Sequence, residues 1–371
     1  MPHELPVPAW HPDLEIRHAA LVARLAPSLP CLELPLHLPW IDAIQRLKAL
    51  RGAVILAHSY QSPEIFHAVA DLTGDSLALA RAAAEVEAGI IVLCGVHFMA
   101  ETAKILAPDK TVLIPDPEAG CSLAASVCAE DVRGLRARHP GVPVVSYVNT
   151  SAEVKAESDA CCTSGNAVEV VEALGSDRVI FLPDRFLGAH VAARTGIELI
   201  LWDGRCEVHE RFTAGQARHA RERFQAMLVA HPECPPEVLA EADFVGSTSA
   251  MGDWLARERF RAPARLHARR QLQVHRLARE RPPRVALITE CAMADNLRVR
   301  FPEIEFVQPC NLCPHMKRIT LPNIHACLRD LAHEVHVEPR VAARARVALE
   351  RMLAGGRDKA QQATPSENPL T

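Results

Sequence analysis

Short runs rich in Val, Ile and Leu recur along the chain, separated by segments rich in Ala, Glu and Arg. The runs end in small or polar residues, which is typical of buried parallel strands in α/β units. They fall into three groups: 53–58, 90–95 and 111–116; 142–149, 161–164, 178–184 and 198–203; and 227–231, 243–247, 284–290 and 304–308. We therefore predict an α/β protein built from three repeated units with parallel sheets.

A cysteine follows the last run of each group at a short interval. Cys121 follows the first group, Cys206 the second and Cys313 the third. Ligands gather at the carboxyl ends of parallel strands, so three units that face one another would bring these thiols to one point. Chance placement among the chain's 12 cysteines is the alternative explanation.

Composition limits the classes of protein. The formal net charge of −4 gives no basic field for nucleic acid or an anionic membrane. The apolar stretch 88–96 is too short to span a bilayer, and residues 1–21 lack the basic start and apolar run of a signal peptide. We expect a soluble, cytoplasmic protein with no nucleic-acid or membrane partner. Because its cysteines are scattered, a disulfide framework is not expected.

The predicted organisation has five parts: an N-terminal extension 1–40, α/β domains 41–135, 136–215 and 216–325, and a C-terminal helix with a flexible tail, 326–371. The segment 26–40 carries four prolines and is expected to be extended or turn-rich. The segment 255–284 is dense in arginine. It is either a phosphate or nucleic-acid patch or, as we favour, a solvated helix face with interleaved acidic residues.

Three thiolates from distant parts of the chain can hold zinc or an iron–sulfur cluster. A cluster with three cysteine ligands keeps one iron open as a Lewis acid. The Cys310–Cys313 pair has zinc-like or redox-like spacing, although no second such pair supports a structural zinc site. Cys310 could instead form a reversible disulfide with Cys313.

Polar residues at the ends of the predicted strands supply further candidates. These motifs are 58–60, 147–151, 162–166, 231–233 and 246–249. Backbone N–H groups at the following helix starts could bind phosphate or carboxylate, although a serine there can simply cap a helix. Glu233 could act as a general base beside His231, or could cap the next helix.

Taken in order, several stretches resemble the quinolinate synthase family. They are Leu56–Gln61, Gly74–Leu77, Phe98–Lys104, Tyr147–Ser151, Cys162–Ala167, Pro183–Arg185, His231–Pro235, Gly246–Thr248 and Cys313–Lys317. The resemblance covers residues from about 50 to 330. It implies three α/β/α sandwich domains related by pseudo-threefold symmetry around a central active site.

The resemblance also implies an activity and a cofactor. Iminoaspartate and dihydroxyacetone phosphate would condense to quinolinate, phosphate and two waters in NAD biosynthesis. By position, Cys121, Cys206 and Cys313 would hold one [4Fe-4S] cluster, with Cys94, Cys162 and Cys310 as rival thiols. Because iminoaspartate is labile, an aspartate-oxidising enzyme is expected upstream as a functional partner.

Carried over residue by residue, the family's pocket gives a substrate-binding set and a catalytic set. The substrate ligands would be His58, Ser76, Tyr147, Asn149, Ser164, His231, Glu233 and Thr248. Tyr60 and Glu233 are the candidate acid–base pair, with His231 as a further catalytic residue. The extra residue between Tyr60 and Ser76, relative to shorter members of the family, leaves Ser76 less secure than His58.

Two other functions are compatible with parts of the pattern. One is a non-catalytic iron–sulfur sensory protein, although a cage alone would not need the polar pocket residues. The other is a zinc-dependent hydrolase that uses His209, His231 and Glu233.

Overall fold

The computed structural model describes residues 8–30, 32–258 and 282–354, and its strands form three separate parallel sheets. In chain order, the strands are β1 (Ala53–His58), β2 (Leu72–Gly74), β3 (Ile90–Cys94), β4 (Thr111–Leu113), β5 (Val144–Tyr147), β6 (Ala160–Cys162), β7 (Arg178–Leu182), β8 (Glu198–Leu201), β9 (Met227–Ala230), β10 (Phe244–Val245), β11 (Arg284–Ile288) and β12 (Glu305–Val307).

The three sheets share one topology. Their strand orders are β2-β1-β3-β4, β6-β5-β7-β8 and β10-β9-β11-β12, and neighbouring strands are parallel throughout. In each sheet the first strand of the unit is central and pairs with the second and the third. The repeat of strand order confirms the predicted fold of three α/β units.

Helices cover the sheets. They are Asp13–Arg17, Ala19–Leu25, Leu34–Arg51, Pro63–Phe66, Ser76–Glu85, His97–Leu106, Ser122–Ala125, Ala129–Arg138, Ala152–Ala156, Ala167–Ala173, Arg185–Thr195, Ala214–Phe224, Pro236–Leu239, Thr248–Glu258, Cys291–Arg300, Leu321–Asp330 and Pro339–Ala354, with a 3-10 turn at Met316–Arg318.

The central strands are buried on both faces. Ile55, Leu56 and Ala57 in β1 are fully buried, as are Leu228, Val229 and Ala230 in β9. A strand covered by helices on both faces has no polar side to alternate with its apolar side, so it forms a continuous apolar run. This burial explains why the central strands are visible in the sequence.

The edge strand β2 was absent from the predicted strands, and that prediction for the first unit was wrong. Leu72–Gly74 pairs with β1 through the register Leu56 to Leu72 and His58 to Gly74. Leu72 and Thr73 are exposed, and the strand has three residues. An edge strand this short has no apolar run, so hydrophobic periodicity does not indicate it.

The N-terminal segment 26–40 is not wholly extended, contrary to expectation. The helix Leu34–Arg51 takes in its last seven residues, with Pro35 in the first turn and Pro39 inside the helix. Proline is compatible with the first turn because the N–H groups there have no partner within the helix. Burial of Leu38, Ile41 and Ile44 holds the helix against the core despite Pro39.

The last two helices return to the first two sheets. Leu321–Asp330 packs on the helix Leu34–Arg51, and Pro339–Ala354 packs on Ala152–Ala156 and β6. The Asn166 side-chain amide donates to the Met352 carbonyl at 2.9 Å. The C-terminal helices therefore complete layers of earlier units. Each sheet lies within its predicted domain, whose exact boundaries stay a prediction.

Two sequence expectations concern segments that are only partly described. Most of the arginine-rich segment 255–284 and the tail 355–371 lie outside the described residues. Within the part of the chain that is described, none of the helices has the length and apolar character needed to cross a membrane.

Candidate active site

A cavity that is open to solvent at its mouth lies where residues from all three units meet. Its lining comes mainly from strand ends and from the loops and helix starts that follow them. Ligand sites of open parallel sheets form at these carboxyl ends. The repeated topology thus provides one shared site.

Every site residue predicted from the sequence lines this cavity. These residues are His58, Tyr60, Ser76, Cys121, Tyr147, Asn149, Ser164, Cys206, His231, Glu233, Thr248 and Cys313. They come from positions far apart in the sequence, so the packing of the three sheets, and not a local motif, brings them together.

The three lining cysteines occupy equivalent positions in the three units. In each unit, the first residue of the helix after the third strand donates its N–H to the carbonyl of the residue two places before the cysteine. The pairs are His97 to Ala119 at 2.7 Å, Arg185 to Gly204 at 2.9 Å and Cys291 to Asn311 at 3.1 Å. Cys121, Cys206 and Cys313 are therefore related by the repeat, whereas Cys310 is not.

The environment of these thiols suits a metal centre. Burial raises the pKa of Cys121 to about 12, and Cys313 contributes to that rise. Burial likewise raises the pKa of Cys313 to about 11 and holds that of Cys206 well above its ordinary value. Converting such buried thiols to thiolates needs a compensating positive charge, which a bound metal centre supplies.

Cys310 has a different partner from the one considered in the sequence. It forms a disulfide with Cys291, while Cys313 is free, so the suggested Cys310–Cys313 pairing is wrong. The Cys291 N–H bond to Asn311 places Cys291 beside the loop that carries Cys310. Among the described cysteines, this bridge is local and does not make a disulfide framework.

The other two rival thiols are buried in strands. Cys94 ends β3 and Cys162 ends β6, and both are fully buried. Neither belongs to the described residues that line the cavity. Both behave as small apolar core residues.

Glu233 is the centre of a buried polar network. Tyr147 Oη donates to its Oε1 at 2.5 Å, and His209 Nδ1 lies 2.6 Å from its Oε2. Burial alone would raise the pKa of Glu233, but His231, His209 and Tyr147 hold it below its ordinary value. Glu233 is thus an ionised carboxylate surrounded by donors.

A second chain of contacts links Tyr60 to the same carboxylate. Tyr60 Oη and Thr289 Oγ1 are 2.7 Å apart, and Thr289 Oγ1 lies 2.9 Å from His209 Nε2. His209 Nδ1 then contacts Glu233. Burial and the charge of Glu233 hold the pKa of Tyr60 well above its ordinary value. Tyr60 is therefore a neutral phenol that keeps its proton.

Two further lining histidines are held neutral. Burial lowers the pKa of His58 to about 4 and that of His231 to about 3, against opposing charges that include Glu233. His231 Nε2 lies 3.1 Å from Ser164 Oγ. Neutral imidazoles can both donate and accept hydrogen bonds, which suits a pocket for a polar organic acid.

Two helix starts face the cavity. Ser76 begins the helix Ser76–Glu85, where Asp75 caps the Ala78 N–H at 2.9 Å. Thr248 begins the helix Thr248–Glu258, and both hydroxyl residues line the cavity. Helix N-termini attract anions through their free N–H groups. The cavity therefore offers two places for carboxylate or phosphate groups.

The geometry does not favour the zinc site suggested by the sequence. The potential metal ligands that lie within 4.8 Å of one another are on Cys206, His209 and Glu233, and do not include His231. The imidazole rings of His209 and His231 stack at a centroid distance of 4.7 Å.

Some residues of the site escaped the sequence analysis. His209 was considered only as a zinc ligand, and Thr289 was not considered, although it joins Tyr60 to His209. Thr289 directly follows β11, as the 58–60 motif closes β1. Equivalence between strand ends was therefore the signal that could have indicated it.

Comparisons with a family model and with individual proteins indicate the same family. The family model described as quinolinate synthetase A protein matches residues 42–282 and 261–354. These ranges take in the strands of all three sheets.

Individual relatives are similar over nearly their whole length. Quinolinate synthase 1 of Mesorhizobium japonicum is 60% identical over 336 residues, which cover 90% of this chain and 97% of that protein. Quinolinate synthase 2 of the same organism is 58% identical over 337 residues, with coverages of 91% and 97%. Quinolinate synthase of Agrobacterium fabrum is 56% identical over 340 residues, with coverages of 91% and 92%.

Proposed function

Because the chain belongs to the quinolinate synthetase A family, we propose that it condenses iminoaspartate with dihydroxyacetone phosphate. The products are quinolinate, phosphate and two waters. The family supports an enzyme of this type and gives no support to the sensory or hydrolase alternatives. The observation that carries the proposal is the convergence of three thiols and a polar acid–base network on one cavity.

Family membership and the cysteine-lined cavity indicate a metal cofactor. We propose a [4Fe-4S] cluster held by Cys121, Cys206 and Cys313, the three cysteines at equivalent positions of the repeat. When bound, such a cluster supplies one iron without a protein ligand, a Lewis acid that assists loss of water.

The substrates carry carboxylate, phosphate, carbonyl and hydroxyl groups, and the proposed binding residues match them. Ser76 and Thr248, at the two helix starts, suit anionic groups. His58, Asn149 and Ser164 offer imidazole, amide and hydroxyl groups that fix orientation. These contacts hold the two carbon acids in one geometry, which lowers the entropic cost of their reaction.

The acid and base are Tyr60 and Glu233. Glu233 is ionised and accepts a proton, for example from the carbon next to the triose carbonyl during enolisation. Tyr60 is neutral and donates a proton to a leaving hydroxyl group. Thr289 and His209 connect the two residues, so a proton can be returned between steps. His231 orients substrate beside Glu233.

We place the reaction in the cytoplasm, where aspartate and triose phosphates are made. Since iminoaspartate hydrolyses readily, an aspartate-oxidising enzyme must produce it close to the site of use. This partner is functional and need not form a stable complex.

A coupled anaerobic assay tests the proposal. Reconstituted protein, an aspartate oxidase with an oxygen-independent electron acceptor, aspartate and dihydroxyacetone phosphate should produce quinolinate and phosphate in equal amounts. Absence of quinolinate from protein that contains iron and sulfide would reject the activity. An anaerobically purified protein that is colourless and loaded with zinc would reject the cluster.

A further inference from the structure

The residue that precedes the helix after the third strand is equivalent in the three units but differs in type. It is Val96 in the first unit, Asp184 in the second and Glu290 in the third. Each stands at the N-cap, directly before the residue whose N–H holds the cysteine loop. Two of the three cysteine loops therefore lie beside a carboxyl group.

Glu290 binds the backbone of the cysteine loop. Its Oε1 accepts from the Cys313 N–H at 3.3 Å, and its Oε2 accepts from the Ala292 N–H at 2.7 Å. Lys317 Nζ lies 3.2 Å from Oε1, so the carboxylate adds no unbalanced charge beside the Cys313 sulfur. The Glu290 side chain is fully buried.

Asp184 has the corresponding position at Cys206. Its Oδ1 accepts from the Leu187 N–H at 2.7 Å, and the side chain is fully buried. Its Oδ2 is buried and accepts no hydrogen bond from the described residues. Asp184 therefore caps its helix but does not hold the amide of Cys206, unlike Glu290 at Cys313.

Burying a carboxyl group is unfavourable unless hydrogen bonds within the protein replace those lost with water. A helix cap alone does not require this burial, because exposed Ser, Thr or Asp residues cap helices equally well. Hydrogen bonds from a backbone N–H to a charged acceptor are stronger than neutral ones. The location of Glu290 therefore suits a second task, which is to fix the Cys313 loop.

We propose that Glu290 is a positioning residue for the metal centre. Glu290 holds the amide of Cys313 so that its sulfur points toward the shared centre before metal binds. The inference rests on the proposed metal centre. Cys121, with Val96 at the equivalent position, does not use such a carboxylate.

The main test is the rate at which iron leaves reconstituted protein. Glu290→Ala should release iron to a chelator about tenfold faster than the wild type, since loss of a residue that orients a metal ligand typically costs 10- to 100-fold in metal affinity. Glu290→Gln keeps one acceptor oxygen. It should release iron no faster than Glu290→Ala and no more slowly than the wild type. Glu338→Ala is the matched control, because Glu338 is exposed and caps the Val341 N–H at 2.9 Å at the start of the helix Pro339–Ala354.

Visible absorbance and iron and sulfide content are followed, together with circular dichroism of the metal-free proteins. A folded Glu290→Ala variant that releases iron at the wild-type rate would overturn the proposal, as would equal acceleration by Glu338→Ala. A wild type that binds no iron would instead reject the proposed function.

Hydrogen exchange on metal-free wild type provides a second test that needs no variant. The Cys313 amide should be protected in the folded protein, because it is bonded to a buried carboxylate. Exchange of this amide at the rate of an exposed loop would overturn the proposal even if Glu290→Ala fails to fold.

Discussion

Tyr147 Oη donates a hydrogen bond to Glu233 Oε1 at 2.5 Å, and so joins the end of β5 in the second sheet to the loop after β9 in the third. The partners are 86 residues apart. Both side chains are buried in the cavity wall, where a hydrogen bond is stronger than in water. Because the two residues belong to different units, the bond forms only if the units are correctly placed relative to each other.

Replacement of the proposed base, Glu233, should slow turnover strongly without loss of the cofactor. Glu233→Gln keeps the shape of the side chain but cannot accept a proton as a carboxylate does. Quinolinate formation should fall by about 10²- to 10⁴-fold, the usual contribution of general acid–base catalysis. Anaerobic rate assays at matched iron content measure this effect. An active Glu233→Gln variant would exclude Glu233 as the base.

The link between Tyr60 and His209 can be cut at Thr289. Thr289→Val has a similar shape but removes the hydroxyl group that contacts both residues. We expect turnover to fall by at least about tenfold, with little change in iron content. Tyr60→Phe is the companion variant, and the double variant should lose little more than Tyr60→Phe alone. Fully additive losses would show that the two residues act independently.

Serine replacements test which cysteines are the proposed cluster ligands. Cys121→Ser, Cys206→Ser and Cys313→Ser should each lose most of the iron and sulfide after reconstitution. Cys310→Ser should retain both, because Cys310 pairs with Cys291 and has no equivalent position in the repeat. Metal analysis decides this, and the reverse result for Cys310 and Cys313 would mean that the wrong cysteine is assigned.

Stability of the metal-free protein should fall on acidification. Folding lowers the pKa of His58 from 6.5 to about 4 and that of His231 from 6.5 to about 3. Below pH 6.5 these histidines bind protons in the unfolded chain but not in the folded chain. The free energy of unfolding therefore falls as the pH is lowered from 6.5, to about pH 4 for His58 and to about pH 3 for His231. The slope is at most about 1.4 kcal/mol per pH unit for each group.

Urea unfolding between pH 7 and pH 4.5 measures this slope. His231→Gln should give a shallower dependence than the wild type, whereas His336→Gln at an exposed position should not change it. Equal slopes for all three proteins would contradict the assignment of a neutral, buried His231.

A buried lysine should matter for stability near the 147–151 motif. Lys155 is fully buried, donates to the Thr150 carbonyl and lies 5.4 Å from the centroid of the Phe98 ring. Burial lowers its pKa, and Glu101 opposes that change. Lys155→Met leaves the buried Thr150 carbonyl without this donor and removes the positive charge near Glu101, and it should cost about 1–3 kcal/mol in the free energy of unfolding.

The control is the double variant Lys155→Met with Glu101→Gln, which removes both charges. It should recover part of the lost stability, because a neutral amide is less costly to bury than an unpaired carboxylate. Urea unfolding of both single variants and the double variant measures this, and a double variant whose loss equals the sum of the two single losses would show that Lys155 and Glu101 do not interact.

The fold could be predicted from the sequence where buried elements have a recognisable hydrophobic pattern. β1 and β9 are buried on both faces, so their apolar runs indicated buried parallel strands. β2 gave no such signal because Leu72 and Thr73 are exposed at a sheet edge. The helix over Pro35 and Pro39 was also missed, since tertiary packing overrode the local tendency of proline.

The candidate site followed the same division. Residues such as His58 and Tyr147 were visible as polar groups at strand ends, and family resemblance suggested their roles. No sequence pattern links Thr289 with His209. In the structure the Thr289 hydroxyl lies 2.7 Å from Tyr60 Oη and 2.9 Å from His209 Nε2. Spacing alone also paired Cys310 with the wrong cysteine.

The sequence by itself determined three α/β units, the strand-end motifs and the cysteine after each unit, because these features depend on local periodicity and order along the chain. Only the tertiary structure decided that Tyr147 meets Glu233, that Cys310 pairs with Cys291 and that Glu290 binds the Cys313 amide. These contacts depend on how units separated by many residues pack against one another, and no local pattern records that arrangement.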